Sequence, residues 1–171
     1  EYKEKVKDAE AVDDPKPPIP DIVGAALLKI ANRLSTKPNF INYTFREEMV
    51  SDGIENCINY IENEIGNIDI ALLNAAAYSP NANQTFDIKN YELLIDVNLK
   101  GTLYCINKLK EVMKNRNNTI AIVSSPIGYR GWPTSGAYGM TKAAQLNLSE
   151  SLFFDFKKIG ISVRVINPGF I

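Results

Sequence analysis

From residue 69 onward, apolar positions form short continuous runs. DIALLN (69–74) contains four consecutive apolar residues, as is typical of a strand buried on both faces of a parallel sheet. NTIAIVS (118–124) repeats this pattern, and ISVRVINPG (161–169) predicts a strand that ends at a Pro-Gly stop. FINYTF (40–45), rich in β-branched and aromatic residues, predicts a strand ahead of these three.

Segments with helical spacing separate these strands. One covers 50–66, with Gly66 placed to end the helix; a second runs from about 88 to 115; a third runs from Ser135 to Lys158. Strands and helices therefore alternate along the chain. This order predicts an α/β fold with a doubly wound parallel sheet between two layers of helices.

The first 34 residues do not show this alternation of strands and helices. The first twenty residues are charged and then proline-rich, which predicts an irregular or disordered surface segment. DIVGAALLKIANRL (21–34) predicts a short amphipathic helix. We therefore expect an irregular segment over 1–20 and a partial α/β domain over 21–171.

The composition of the chain argues against several classes of function. The chain has 171 residues, a net charge of −1 and no histidine. The balanced charge gives no sign of a nucleic-acid or membrane partner, and the lack of histidine excludes triads and zinc sites that need an imidazole. Cys57 and Cys105 have no metal-binding spacing, so we expect no metal, free thiols and a cytoplasmic location. No apolar run is long enough to span a membrane.

Small and polar residues follow the predicted strands. In parallel sheets, ligands bind beyond the carboxyl ends of the strands. Here these ends carry Asn-Ala-Ala-Ala (74–77), then Ser124 and Ser125, then Asn-Pro-Gly (167–169). The helix after Ser125 adds Tyr138, so a hydroxyl, a phenol and a nearby ammonium are expected on one edge of the sheet.

The ammonium belongs to Lys142, four residues after Tyr138. Both side chains project from the same helix face, because four residues is slightly more than one turn. An ammonium beside a phenol lowers the pKa of the tyrosine, which otherwise titrates near ~10. The pair predicts an acid/base group; a half-buried ring beside a solvated ammonium is the alternative that the pair alone leaves open.

Five motifs occur in the order and spacing of a known family. They are Asn74-Ala-Ala-Ala, Asp96-Val-Asn98-Leu-Lys-Gly101, Val123-Ser-Ser125, Tyr138-Gly-Met-Thr-Lys142 and Asn167-Pro-Gly169-Phe-Ile171. From about residue 39 to 171 the chain resembles the short-chain dehydrogenase/reductases. The resemblance implies an incomplete Rossmann-like fold and an NAD- or NADP-dependent oxidoreductase that interconverts a carbonyl and an alcohol on a small substrate.

The resemblance also implies a role for each catalytic residue. Tyr138 would exchange a proton with the substrate oxygen, and Lys142 would lower its pKa and bind the nicotinamide ribose. Ser125 would hydrogen-bond the substrate oxygen, with Ser124 as a rival for this role. Asn98 would distort its helix and hold a water that relays protons to Lys142; a polar residue on a helix surface is the alternative.

Further residues would line the cofactor. The adenosine side would be lined by Asn74, Ala75 and Ala76, and the nicotinamide would be approached by Pro168, Gly169 and Ile171. Asn74 closing a turn is the alternative to its cofactor role. The pair Tyr138 and Lys142 belongs to this cofactor surface as well.

Two features depart from the family's pattern. The usual Asn-Asn-Ala-Gly motif ends here in Ala77 instead of glycine. The glycine-rich turn Gly-x-x-x-Gly-x-Gly, whose amides receive the pyrophosphate, does not occur in the 171 residues. We therefore expect an incomplete copy of the fold, and weak or no binding of NADH or NADPH by this chain alone.

Two other functions remain open. An epimerase or isomerase of the extended branch of the same superfamily also uses a Tyr-x-x-x-Lys pair, and a truncated, non-catalytic protein would keep the motifs without activity. The two long helices carry apolar residues beyond one packed face: Leu99, Leu103, Leu148, Leu152 and Phe153. Since the family pairs these helices across a two-fold axis, we expect a homodimer or homotetramer.

Overall fold

The computed structural model describes residues 46–79 and 86–169. The chain divides into two compact units, Glu1–Ile65 and Gly66–Ile171. Several expectations lie outside the described residues: the irregular segment 1–20, the helix 21–34, the strand 40–45 and the cofactor contact of Ile171.

The first unit is described from Arg46 onward. Its helix α1 (Arg46–Tyr60) continues as a π-helical turn over Ile61–Ile65, and Gly66 follows at φ 138°. A left-handed φ suits glycine, which has no Cβ to clash. The helix end predicted at Gly66 is confirmed. Ile54 and Ile58, one turn apart on α1, are buried.

The second unit is built on a parallel sheet. Its strands are β1 (Ile70–Leu73), β2 (Asn118–Val123) and β3 (Ile161–Ile166), hydrogen-bonded in the order β1-β2-β3. At the carboxyl ends, Val123 pairs with Ile166. The three strands predicted in this part of the chain are confirmed, and their carboxyl ends share one edge of the sheet.

Among the described residues, two helices lie between β1 and β2, instead of the single long helix predicted there. Helix α2 covers Ile88–Leu94, helix α3 covers Gly101–Met113, and a π-helical segment, Ile95–Lys100, joins them. The N–H of Gly101 donates to the carbonyl of Asp96, five residues back instead of four. The wider turn is the physical reason for the difference, because it inserts a residue into the helical ladder.

Helix α4 (Gly136–Lys157) follows β2 through a short 3-10 turn, Pro126–Gly128. It packs along β3, against that turn and against α2. The helix predicted from Ser135 to Lys158 is confirmed within one residue at each end. Buried apolar side chains of sheet and helices form the core of this unit: Leu94, Ile106, Leu109, Met113, Ile120, Ile122, Leu146, Phe156, Ile161 and Val163.

The prediction that β1 is buried on both faces is wrong. Ile70 and Leu72 are 70% and 57% exposed, whereas Ala71 and Leu73 between them are partly covered. Alternating exposure arises because successive strand residues point to opposite faces of a sheet. One face of β1 is therefore covered and the other is open in the described structure.

Candidate active site

Tyr138 lies in the first turns of α4 and is half-buried. Its ring packs against a small apolar cluster of Leu94 and Ala137. Burial raises the pKa of Tyr138 above its ordinary value of 10.0, a hydrogen bond with the Ser125 side chain lowers it, and Tyr78 raises it. Because burial is the largest of these effects, the phenol is held in its protonated form near neutral pH.

Lys142 is almost fully buried, one turn after Tyr138. Its Nζ donates to the carbonyl of Val123 at 2.8 Å and to Oε1 of Gln145 at 3.0 Å, and it lies 5.5 Å from the centre of the Tyr138 ring. Burial lowers the pKa of Lys142 to about 8. The alternative of a solvated ammonium is therefore excluded.

The predicted fall in the pKa of Tyr138 is corrected by this geometry. The net pKa shift of Tyr138 is upward, because withdrawal of the phenol from water outweighs the hydrogen bond from Ser125. The ammonium of Lys142 is directed to two oxygen acceptors, on Val123 and Gln145. The Ser125 side chain lowers the pKa of the phenol, by less than burial raises it.

The two serines at the end of β2 make different contacts. The Ser125 side chain is close enough to Tyr138 to lower its pKa, and its Oγ accepts from the N–H of Ile127 at 3.4 Å. Ser124 is buried, and its hydroxyl donates to the carbonyl of Lys142 at 3.0 Å. The geometry thus brings Ser125 to the phenol, whereas Ser124 fastens the backbone of α4 to the end of β2.

Asn98 lies in the middle of the π-helical segment and is fully buried. Its Oδ1 accepts from the N–H of Ala77 at 2.7 Å, and its Nδ2 donates to the carbonyl of Ala77 and to Oγ1 of Thr141, both at 3.0 Å. The predicted distortion of its helix is confirmed, and a position on the helix surface is excluded. Its role in holding a relay water stays a prediction.

Three residues near the site were missed by the sequence analysis. The ring of Tyr78 meets that of Tyr138 edge-on, with centroids 5.2 Å apart, and nothing in the sequence distinguishes Tyr78 from other tyrosines. Thr141 and Gln145 lie on the buried face of α4. A signal for these two exists: polar residues recur at core spacing beside Lys142 in this helix.

The expected cofactor residues lie at the carboxyl edge of the sheet. Asn74, Ala75 and Ala76, after β1, are exposed. Pro168, after β3, is half-buried, and Gly169 is exposed, with no atom within 4 Å of the point where a Cβ would stand. Small exposed residues let a ligand approach the backbone closely, so this edge has room for a flat nucleotide.

Two polar groups at this edge make fewer hydrogen bonds to the described residues than they can form. The buried Oδ1 of Asn167 has no partner among the described residues, while its Nδ2 donates to the hydroxyl of Tyr129 at 2.9 Å. Lys142 uses two of the three N–H donors of an ammonium. An acceptor and a donor at the edge fit a ligand with both amide N–H groups and ribose hydroxyls, such as a nicotinamide nucleotide.

A parallel sheet with a Tyr-Lys pair at its carboxyl edge defines a Rossmann-type protein. The family model described as short chain dehydrogenase matches residues 23–171. The chain belongs to the short chain dehydrogenase family, as the motifs predicted.

Curated relatives agree with this assignment. An uncharacterized oxidoreductase of Staphylococcus epidermidis is 29% identical over 147 residues, which are 85% of this chain and 62% of that protein. A 3-oxoacyl-[acyl-carrier-protein] reductase of Staphylococcus aureus is 30% identical over 122 residues, 71% of this chain and 50% of that protein. The chain thus spans between half and two thirds of the length of these relatives.

Solved structures confirm the Rossmann-like fold. A gluconate 5-dehydrogenase from Burkholderia cenocepacia, in complex with NADP and tartrate, superposes with a TM-score of 0.66 at 25% identity. It is matched over 70% of this chain and 48% of that one. ElxO with NADP bound superposes with a TM-score of 0.64 at 26% identity, over 70% of this chain and 49% of that one.

The described residues were also searched for other kinds of site. They include no helix that is long and apolar enough to cross a membrane. They also include no group of three or more acidic or cysteine side chains that could hold a metal ion. Cys57 and Cys105 are half-buried and are not joined in a disulfide, and burial raises the pKa of Cys57.

Proposed function

We propose that this chain carries the catalytic part of an NAD- or NADP-dependent oxidoreductase that interconverts a carbonyl and an alcohol. The observation that carries the proposal is the grouping of Ser125, Tyr138 and Lys142 at the carboxyl edge of a parallel sheet. Family membership and the NADP held by two solved relatives support the choice of cofactor class. When bound, the nicotinamide supplies or accepts the hydride.

Tyr138 is the general acid in the direction of reduction. Its raised pKa keeps the phenol protonated near neutral pH, so it can give its proton to a carbonyl oxygen that is gaining negative charge. The Ser125 hydroxyl lies next to the phenol and donates a second hydrogen bond to the same oxygen. In the direction of oxidation, the phenolate of Tyr138 accepts the proton of the alcohol.

Lys142 has two tasks in this proposal. Its positive charge lies beside the ring of Tyr138, which stabilises negative charge left on the phenolate oxygen after proton transfer. Its remaining N–H donor binds a ribose hydroxyl of the nucleotide. Asn74, Ala75 and Ala76 line the adenosine side, and Pro168 and Gly169 the nicotinamide side.

The substrate is a small molecule with a carbonyl or a secondary alcohol. Among the described residues, Tyr138 would give a proton and Ser125 a hydrogen bond to the reacting oxygen, which suits a neutral carbonyl or alcohol. An epimerase or isomerase would use the same Tyr138 and Lys142 pair, but without net consumption of nucleotide. The spacing of thirteen residues between Ser125 and Tyr138 favours the oxidoreductase.

Nucleotide consumption tests the proposal. The whole protein that contains this chain is mixed with NADH or NADPH and a panel of aldehydes, ketones and 3-oxoacyl thioesters, and absorbance of the reduced nicotinamide is followed. We expect loss of absorbance with one nucleotide and at least one carbonyl class. Product formation without net loss of absorbance would favour the epimerase, and binding of neither nucleotide would favour the non-catalytic alternative.

A further inference from the structure

The side chain of Gln145 connects the ammonium of Lys142 to the π-helical segment. Its Oε1 accepts from Nζ of Lys142 at 3.0 Å. Its Nε2 donates to the carbonyl of Asn98 at 2.7 Å and to Oγ1 of Thr102 at 3.0 Å. Gln145 is almost fully buried, so both ends of its amide are bonded within the protein.

The backbone around Gln145 is fastened in turn. The hydroxyl of Thr102 donates to the carbonyl of Asn98 at 2.8 Å, and the hydroxyl of Ser149 donates to the carbonyl of Gln145 at 2.6 Å. The carbonyl of Asn98 therefore accepts from two side chains, Thr102 and Gln145. A network of this kind has one low-energy arrangement, because any rotation of the Gln145 amide would leave buried donors and acceptors unpaired.

We propose that Gln145 is a positioning residue that fixes the ammonium of Lys142 beside Tyr138 by linking it to the carbonyl of Asn98. The resemblance implied a relay water between Asn98 and Lys142, which stays a prediction; the amide of Gln145 also connects these two residues. An amide accepts and donates hydrogen bonds but does not readily exchange its protons, so Gln145 orients Lys142 and carries no proton away. This inference deepens the proposed function, on which it rests.

The inference gives the two ends of Gln145 separable effects. The acceptor end, Oε1, favours the charged form of Lys142, whereas the donor end holds the amide against the π-helical segment. Among the described titratable groups, Tyr138 is the one whose ring the structure records beside this ammonium. The titration of Lys142 therefore reports on Gln145 without any need for turnover.

Two substitutions separate these ends in the whole protein. Gln145→Met keeps the length of the side chain and removes both polar ends. Gln145→Glu keeps an acceptor for Lys142, now charged, and loses the donor. Asn147→Met is the matched control, since it removes an amide side chain from an exposed position two residues further along the same helix.

The pKa of Lys142 is measured by NMR of side-chain-labelled lysine, and the Lys142→Met variant assigns the signal. The kcat and KM of each variant are measured as well. We expect Gln145→Met to lower the pKa of Lys142 below its value of about 8 and to lower kcat at least about tenfold with little change in KM. Gln145→Glu raises this pKa, and Asn147→Met changes neither quantity.

The outcomes test the role of Gln145 separately from the proposed function. Opposite pKa shifts in the two Gln145 variants support the inference, even if the wild type shows no turnover with any carbonyl, in which case only the proposed function fails. An unchanged pKa of Lys142 in both variants overturns the inference, even if the wild type turns over normally. If Gln145→Met fails to fold, Gln145→Glu alone gives the deciding shift.

Discussion

At the scale of single residues, the acid/base behaviour proposed for Tyr138 depends first on its burial and then on the neighbouring Ser125 side chain. Burial raises the pKa of Tyr138, and the hydrogen bond with Ser125 opposes that shift. Reduction needs the protonated phenol and oxidation needs the phenolate. The two directions of the proposed reaction should therefore respond oppositely to pH.

Ser125→Ala should shift the pH dependence of alcohol oxidation to higher pH. Without the Ser125 hydroxyl the phenolate loses a hydrogen bond, so the pKa of Tyr138 rises further. We expect alcohol oxidation by the variant to need a higher pH than in the wild type, in addition to a lower kcat. The profile of oxidation rate against pH measures this, and Ser124→Ala serves as control because the Ser124 hydroxyl bonds the backbone of Lys142. A profile for Ser125→Ala that coincides with that of the wild type would refute the pairing.

Lys142 should make folding stability depend on pH. Burial lowers its pKa from 10.5 to about 8, so between these values the unfolded state binds more protons than the native state. The contribution of Lys142 to stability therefore rises with pH across this window, by about 3 kcal/mol. Below about pH 8 both states are protonated and the full cost of the buried charge remains.

Lys142→Met removes the titrating group and nearly keeps its shape. We expect the free energy of unfolding of the wild type, relative to this variant, to increase between pH 8 and 10.5. Denaturant titrations of both proteins at several pH values measure the difference, in which the titration of all other groups cancels. A difference that stays constant with pH would show that Lys142 is not buried as a cation.

The sequence predicted the proposed reacting residues but not the side chains that hold them in place. Tyr138 and Lys142 were found because their spacing is helical and their motif is distinctive. Gln145 was not, since a single glutamine in an amphipathic helix usually faces water, and its burial depends on Asn98 and Thr102, more than forty residues away. The pKa of Tyr138 was predicted in the wrong direction because burial is a property of the folded chain.

At the scale of elements, the approach of the 3-10 turn to α4 sets the position of the site. A Cβ added at Gly128 would lie 2.7 Å from Cδ1 of Leu146 and 2.9 Å from the backbone carbon of Lys142. Such distances require the turn and the helix to move apart. The glycine thus allows β2 and its serines to lie close to the part of α4 that carries Lys142.

Gly128→Ala should destabilise the protein and displace Lys142 from its acceptors. We expect a loss of about 1–3 kcal/mol in the free energy of unfolding. Gly131→Ala, three residues on, is the matched control, because no atom lies within 4 Å of its added Cβ. Urea denaturation of both variants compares them. Equal stability of the two would contradict the close packing of turn and helix.

Elements were predicted well where their pattern is local. The strands β1, β2 and β3 and helix α4 were found because each run has one clear period. The π-helical segment was missed, since an inserted residue changes the hydrogen-bond ladder without breaking the apolar spacing around it. The exposure of Ile70 and Leu72 was missed because it depends on what covers the sheet, not on the strand itself.

At the scale of the whole molecule, assembly stays a prediction. Of the five residues that suggested it, Leu103 on α3 and Phe153 on α4 are 42% and 38% exposed. Leu99, Leu148 and Leu152 are partly covered. Exposed apolar side chains on two long helices are typical of a helix-to-helix interface between copies.

Leu103→Glu should weaken that assembly, because it brings a charge into a self-complementary apolar contact. We expect the wild-type whole protein to sediment as a dimer or tetramer at micromolar concentration, and the variant to sediment as smaller species. Leu93→Glu is the matched control, a leucine of α2 with a similar exposure of 40%. A monomeric wild type, or an equal effect of both substitutions, would argue against pairing through α3 and α4.

We propose that Tyr138 transfers the proton in a nicotinamide-dependent reaction. The Tyr138→Phe variant tests this role. The substitution removes one oxygen from a half-buried ring, so the fold and the nucleotide site should remain. In one preparation of the whole protein, nucleotide binding is titrated by fluorescence and turnover is measured with the same nucleotide. The account predicts unchanged binding and a loss of kcat of roughly a hundredfold or more. Turnover at the wild-type rate would contradict it.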